Sequence, residues 1–142
     1  MRRHLFAVAA SLCLTTATAA QPAPFDALAA SSVIVNDLAR QDLAAAATAA
    51  SQLMEATTAD RLKGTFRFVS DLGAAQYTDL VYARDYGRSE KDVIYKIDFA
   101  KAFLFVRLLY HVDNGAWRLI NIRLNTEDEL PFPREWTHIY PQ

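Results

Sequence analysis

The composition of the chain changes abruptly near its middle. Alanine and other small residues dominate the sequence up to Gly73, whereas aromatic and β-branched residues dominate from Tyr77 to Leu124. Small unbranched side chains favour helices, and β-branched or aromatic side chains favour strands. The two halves therefore predict an α+β domain in which the helices come first and an antiparallel sheet follows.

Three helices are predicted in the first part of the chain. Asp26 and Asp42 are suitable N-caps for the first two, because a carboxylate there accepts hydrogen bonds from unpaired amides of the first turn. Apolar residues recur at helical spacing behind each cap. The third helix is expected to begin at Thr57 or Thr58 and to end at Gly73, since glycine adopts the left-handed conformation that terminates helices.

Four strands are predicted in the second part, and the clearest local signal is the Asn114-Gly115 pair. These two residues readily supply the positive φ angles of a two-residue hairpin turn. The turn sets the register of the last hairpin, so that Tyr110 is expected opposite Leu119. The predicted strands cover about residues 76–86, 93–99, 102–113 and 116–126.

Continuing that register predicts a hairpin that is largely apolar on both faces. Leu108 is expected opposite Asn121, and Val106 opposite Arg123. A sheet with one wet face would show clean alternation of apolar and polar residues. We therefore expect helices on one face, and the C-terminal tail or a second subunit over part of the other.

Residues 1–19 have the three parts of a bacterial secretory signal. A basic start at Arg2 and Arg3 precedes an apolar stretch, which small residues follow. The apolar stretch is about half of the ~20 residues that a membrane span needs. Cleavage near Ala19 is therefore predicted, with the mature protein periplasmic or secreted and without a membrane span.

The rest of the chain divides into three predicted segments. Residues 20–25 form an extended N-terminal segment, and residues 26–126 form a single domain. The tail at 127–142 contains two prolines, which oppose strand formation, and several large apolar residues. It is expected to pack back on the domain as a strap.

Cysteine and charge exclude several classes of function. Cys13 is the only cysteine and lies in the predicted signal, so disulfides and thiol catalysis are not expected in the mature chain. No metal or other cofactor is predicted, because His111 and His138 have no partner at a recognised ligand spacing. Without Arg2 and Arg3, 13 basic residues stand against 16 acidic ones. This balance gives no electrostatic case for nucleic acid.

The predicted order of elements resembles the nuclear-transport-factor-two-like superfamily, the cystatin-like cone. The resemblance covers about residues 25–126 and includes the Asn114-Gly115 turn followed by Trp117 and Leu119. It implies a curved sheet that wraps around the helices and encloses a cavity. The superfamily contains isomerases and lyases with an acid or base in the cone, and also domains that only bind ligands or dimerise, so the fold does not choose between them.

Asp79, Asp98 and His111 are the candidate catalytic residues. An isomerase or lyase would use a buried carboxylate or histidine as general base. Each residue also has a simpler interpretation: Asp79 as a solvated edge residue, Asp98 as a strand-end residue, and His111 as an exposed neighbour of the turn.

The candidate ligand-binding residues are Tyr110, Trp117, Asn121 and Arg123, which the predicted register places on one face. Arginine and asparagine there can orient an anionic or carbonyl-bearing ligand, although the wet end of an outer face would look the same. The sequence thus favours an exported, non-catalytic domain that binds a small apolar or amphipathic ligand or a protein partner. A homodimer through the sheet is also expected, and a cone-fold isomerase or lyase is the alternative. An open concavity would indicate a ligand site, and a filled one an interaction module.

Overall fold

The structure, a computed structural model, describes residues 24–55 and 57–126. Three helices precede four antiparallel strands that form one open sheet in the order β1-β2-β3-β4. The α+β prediction and the predicted order of elements are confirmed. The predicted signal peptide and C-terminal strap lie outside the described residues. The elements are α1 (Ala27–Ala39), α2 (Leu43–Leu53), α3 (Ala59–Phe66), a 3₁₀ helix (Arg67–Leu72), β1 (Ala75–Tyr86), β2 (Glu90–Phe99), β3 (Phe103–Asp113) and β4 (Ala116–Asn125).

Side-chain caps begin the helices as the sequence predicts. The Asp26 carboxylate accepts a hydrogen bond from the Ala29 amide at 3.0 Å, and Asp42 accepts one from the Ala45 amide at 3.0 Å. Gly73 ends the helical region with a φ of 85°. None of the helices in the described part of the chain is long and apolar enough to cross a membrane.

The main core fills the space between the helices and one face of the sheet, which we call the inner face. Helix α1 contributes Ile34 and Leu38, and α3 contributes Phe66, all with no exposed surface. They meet Ile97 of β2 and Leu104 of β3, which are equally buried. The interior is therefore packed with aliphatic and aromatic side chains, as dense protein cores are.

The opposite face of the sheet, the outer face, carries a smaller apolar cluster. Tyr82, Ile94 and Phe105 form its centre, with Val81 and Phe103 packed against them. This outer cluster lies on β1, β2 and the start of β3. The expectation that the β3–β4 hairpin is apolar on both faces is wrong, because its outer face carries Arg107, Asn121 and Arg123.

The predicted register of the β3–β4 hairpin is correct near the turn and wrong beyond Leu119. Tyr110 pairs with Leu119 as expected, but the register then shifts, so that Leu109 pairs with Asn121 and Arg107 with Arg123. One additional residue in β4, a β-bulge, produces this shift. It turns Ile122 and Leu124 toward the core in place of Asn121 and Arg123. Burying aliphatic side chains is favourable, whereas burying an unpaired guanidinium is costly.

Candidate functional site

A cleft opens to solvent between the start of α1 and the β1–β2 hairpin. Its volume is about 730 Å³, which lies within the range of small-molecule sites. Residues from the two sides of the cleft are far apart in sequence, so only the folded chain brings them together. The lining residues are Pro24, Phe25, Asp26, Ala27 and Leu28 on the helix side, and Ala83, Arg84, Asp85, Lys91 and Val93 on the sheet side.

The cleft lies where the helices leave part of the inner face uncovered. On β1, the inner-face residues Thr78, Leu80 and Ala83 are exposed. The inner-face residues Val93 and Ile97 of β2 are buried in the main core. The helical layer therefore ends between β2 and β1, and the first turn of α1 forms the rim of the cleft.

Aromatic residues support one side of this cleft. The ring of Phe25 stacks on Trp117, with centroids 5.6 Å apart and an interplanar angle of 16°. Phe25 also contacts Tyr110, at a centroid distance of 5.2 Å. Such ring pairs bury large apolar areas in a defined geometry. They fix the position of Phe25, and with it the start of α1.

Lys91 is the principal cation of the cleft. Its Nζ lies 2.8 Å from Oδ1 of Asp85 and 5.3 Å from the centroid of the Trp117 ring. A carboxylate and an aromatic face thus hold the ammonium group at the cleft. The site combines apolar surface with four charged side chains, of which Lys91 is the cation held between a carboxylate and an aromatic ring. This combination suits a ligand with an apolar body and an anionic or carbonyl group.

A buried pair of hydroxyl groups lies behind the aromatic residues that support this side of the cleft. Oγ of Ser31 is 2.8 Å from Oη of Tyr110, and both residues are fully buried. Burial raises the pKa of Tyr110 to about 12, although the hydrogen bond between Tyr110 and Ser31 opposes part of this shift. Tyr110 therefore stays protonated near neutral pH, and its hydroxyl ties α1 to the sheet. Burial also raises the pKa of Tyr95 on the inner face, with a smaller contribution from Asp26.

The three candidate catalytic residues all lie on the outer face. Asp79 is exposed and pairs across the sheet with Lys96. Asp98 is half-buried and forms an ion pair with the same lysine, at 2.7 Å. Residues directly opposite each other share a face, and Lys96 lies opposite Phe105 of the outer cluster. Neither carboxylate reaches the core or the cleft.

His111 is half-buried and lies between Glu90 of β2 and Arg118 of β4. It borders a second cavity, of about 340 Å³, beside the end of α2. Nε of Arg118, which also lines this cavity, is buried without a hydrogen-bond partner among the residues that the structure describes. His111 is not part of the lining of the main cleft, and the three candidate bases do not form one site.

The four candidate ligand residues are divided between the two faces. Tyr110 is buried on the inner face, and Trp117 lies half-buried beside the cleft through its contact with Phe25. The bulge turns Asn121 and Arg123 to the outer face, where they line a cavity of about 60 Å³ with Arg107 and Leu109. The expected four-residue cluster is therefore not assembled, because one inserted residue reverses the alternation of β4.

The outer face contains a buried ion pair that the sequence analysis did not predict. Asp92 has no exposed surface, and its carboxylate accepts hydrogen bonds from Nε of Arg107 at 2.9 and 3.2 Å and from Nη2 at 2.5 Å. The hydrogen bonds that Arg107 donates to Asp92 raise the pKa of Arg107. The predicted strands, which cover about residues 76–86 and 93–99, leave Asp92 in the connection between them. Strand β2 begins earlier, at Glu90, and pairing Ile94 with Arg107 brings the arginine beside Asp92.

Tyr86 adjoins this pair. Its hydroxyl lies 2.9 Å from that of Tyr82, and its pKa is raised to about 12 by burial first, then by the hydrogen bond to Tyr82 and by the nearby charge of Asp92. Among the described residues, no three histidine, cysteine or acidic side chains are grouped so as to hold a metal ion. The charged residues of this face are engaged mainly with one another.

No family model matches this sequence, and no curated protein matches it either. The class that the structure defines is an α+β domain with three helices packed on an open four-stranded sheet and a solvent-filled cleft at the rim of its core.

Proposed function

We propose that the protein is an exported, non-catalytic binding domain that holds a small amphipathic ligand in the cleft between α1 and the β1–β2 hairpin. The observation that carries this proposal is the cleft of about 730 Å³, whose lining combines apolar residues with charged ones that include the held Lys91. The leader-like sequence at residues 1–19 supports export. The order of elements supports membership of the nuclear-transport-factor-two-like superfamily.

The chemistry of the lining indicates how such a ligand would lie. Phe25, Leu28 and Ala83 offer apolar surface to a hydrocarbon or aromatic body. Lys91 can donate a hydrogen bond to a carboxylate, sulfonate or carbonyl group at the polar end. Because Asp85 already neutralises part of the lysine charge, we expect the apolar contacts to supply most of the affinity.

The packing of the interior favours binding over catalysis. The space that a cone-fold isomerase or lyase would use for its substrate is filled here by side chains such as Phe66 and Leu104. Asp79, Asp98 and His111 face away from it. The carboxylates that do line the cleft have other contacts, since Asp26 caps α1 and Asp85 pairs with Lys91.

Titration with an anionic naphthalene dye tests the proposal. We expect 1-anilinonaphthalene-8-sulfonate to bind the folded protein saturably, with one dye per chain. Ala83→Trp places an indole ring in the cleft and occupies part of its volume, which should weaken binding at least tenfold, a ratio that corresponds to about 1.4 kcal/mol. Ala116→Trp, at an exposed alanine near the opposite hairpin turn, is the matched control and should bind like the wild type.

A second variant separates the charge from the apolar contacts. Lys91→Met should weaken binding of the sulfonate about fivefold, and should leave binding of the uncharged dye N-phenyl-1-naphthylamine unchanged. Trp117 provides an internal signal once Trp136→Phe has made it the only tryptophan.

Equal binding to the wild type and to Ala83→Trp would show that the dye lies elsewhere and would overturn the assignment of the cleft.

A further inference from the structure

Strand β1 is the least covered strand of the sheet. It spans Ala75–Tyr86 and forms one edge of the sheet, with β2 as its only neighbour among the described strands. Tyr77 on its outer face is 69% exposed and Leu80 on its inner face is 48% exposed. An edge strand presents unpaired backbone donors and acceptors that another strand can satisfy.

The other edge of the sheet is less accessible. Residues Met54, Glu55 and Thr57, which follow α2, border Arg118 and Ile120 of β4 across a shared cavity. Strand β1 meets the first turn of α1 across the cleft, but eight of its twelve residues are exposed, against three of the ten in β4. Strand addition is therefore expected at β1.

We propose that β1 pairs antiparallel with β1 of a second copy of this chain, in the register that places Asp79 opposite Arg84 of the partner subunit. A two-fold axis generates this pair twice, because Arg84 then lies opposite the partner's Asp79. Opposite charges directly across two strands stabilise their pairing. The pairing does not depend on whether the cleft binds a ligand.

A bulge in β1 places Asp79 and Arg84 on the same face of the sheet, as this register requires. Leu80 pairs with Tyr95 of β2 and Tyr82 pairs with Ile94, so Val81 is an additional residue in the ladder. In a regular strand, residues 79 and 84 would point to opposite faces. The additional residue brings both to the outer face, where Asp79 lies opposite Lys96 and Arg84 opposite Asp92.

The remaining pairs of the proposed interface also match by face and by type. Leu80 would lie opposite the partner's Ala83 on the inner face. Tyr77 would lie opposite the partner's Tyr86 on the outer face. Arg84 is exposed, and its guanidinium carbon is held 4.9 Å from the centroid of the Tyr86 ring. The charge that would meet the partner's Asp79 is therefore positioned on the correct face before association.

In the proposed dimer, the second copy would also contribute to the wall of the cleft. Ala83 and Asp85 line the cleft from β1, and the register places the partner's Leu80 and the partner's Thr78 beside them. The second copy would thus extend the cleft wall past the edge of β1. The β3–β4 hairpin, whose two predicted apolar faces suggest a dimer from the sequence, takes no part in this interface.

Charge reversal tests the register by sedimentation equilibrium. We expect the wild type to dimerise, and Asp79→Arg or Arg84→Asp alone to raise the dimer dissociation constant about tenfold, because each reversal replaces two attractive pairs with two repulsive ones. The two substitutions together should restore dimerisation. Asp71→Arg makes the same charge change at an exposed site outside the sheet and should leave the equilibrium unchanged. A wild type that is monomeric at millimolar concentration, or a double variant no better than the single variants, overturns the proposal.

Cysteine cross-linking gives a second test that does not require the charge variants to associate. In a chain carrying Cys13→Ser, a mixture of Asp79→Cys and Arg84→Cys proteins should form a disulfide-linked heterodimer on mild oxidation, because opposed Cα atoms lie about 5 Å apart. Either variant alone should not cross-link, since its two cysteines would be about 16 Å apart along the strands. Cross-linking of both single variants as fast as the mixture contradicts the register.

Discussion

Removing Arg107 should destabilise the domain more than neutralising Asp92. Asp92 has no exposed surface, whereas the side chain of Arg107 is 22% exposed. Arg107→Met leaves a buried carboxylate with no counter-charge, and breaking a buried ion pair in this way costs about 3–5 kcal/mol. Because water reaches the guanidinium side of the pair, we expect the lower end, about 3 kcal/mol.

Asp92→Asn leaves the other partner unpaired, and that partner can be hydrated. The asparagine oxygen still accepts one hydrogen bond, so the expected loss is about 1–2 kcal/mol. The double variant Asp92→Leu with Arg107→Met replaces both charges by apolar groups and should recover much of the loss, because it leaves no buried charge.

Urea unfolding followed by far-ultraviolet circular dichroism at pH 7 measures these differences. A smaller destabilisation by Arg107→Met than by Asp92→Asn, or a double variant less stable than Arg107→Met, would refute the argument from burial.

Three further predictions concern stability. The free energy of unfolding should decrease between about pH 10 and about pH 12, because the folded-state pKa values of Tyr110 and Tyr86 are raised to about 12 and the unfolded chain loses these protons first. Urea midpoints from pH 8 to 12 measure this decrease, and a flat profile contradicts it. Gly64→Ala should stabilise the domain by up to about 1 kcal/mol, since a Cβ there meets nothing within 4 Å. Gly73→Ala should destabilise it by about 1–2 kcal/mol, because the φ of Gly73 is 85°. Thermal melts that rank the two variants the other way refute this prediction. Deleting Ile120 should remove the bulge with the core pairing intact, so loss of cooperative unfolding would show that the bulge is required.

Local signals explain why the elements are predictable from the sequence. The caps at Asp26 and Asp42, the stop at Gly73 and the turn at Asn114-Gly115 act within a few residues of chain. Asn114 has a φ of 48° and Gly115 a φ of 79°, as the hairpin turn requires. The prediction of the third helix was less complete, because α3 ends at Phe66 and the chain continues to Leu72 as a 3₁₀ helix.

The outer-face ion pair was missed for a reason that lies beyond local sequence. The three-residue loop after Tyr86 includes Gly87 with a φ of 66°, and it lets β2 start at Glu90. Charged residues that occur in a run are usually exposed to solvent, so the sequence around Asp92 does not indicate that this residue is buried. Only the alignment of β2 with β3 gives it Arg107 as a partner.

By itself, the sequence determined the class of the domain and the order of its helices and strands, because composition, periodicity, caps and turn residues act locally. The tertiary structure decided which residues share a face and a site. One additional residue in β4 moved Asn121 and Arg123 away from Tyr110 and Trp117. Packing the start of α1 against the first two strands made a cleft from Phe25, Ala83 and Lys91. A strand alternates at every residue, so a single bulge that lets Ile122 and Leu124 reach the core reverses every assignment beyond it.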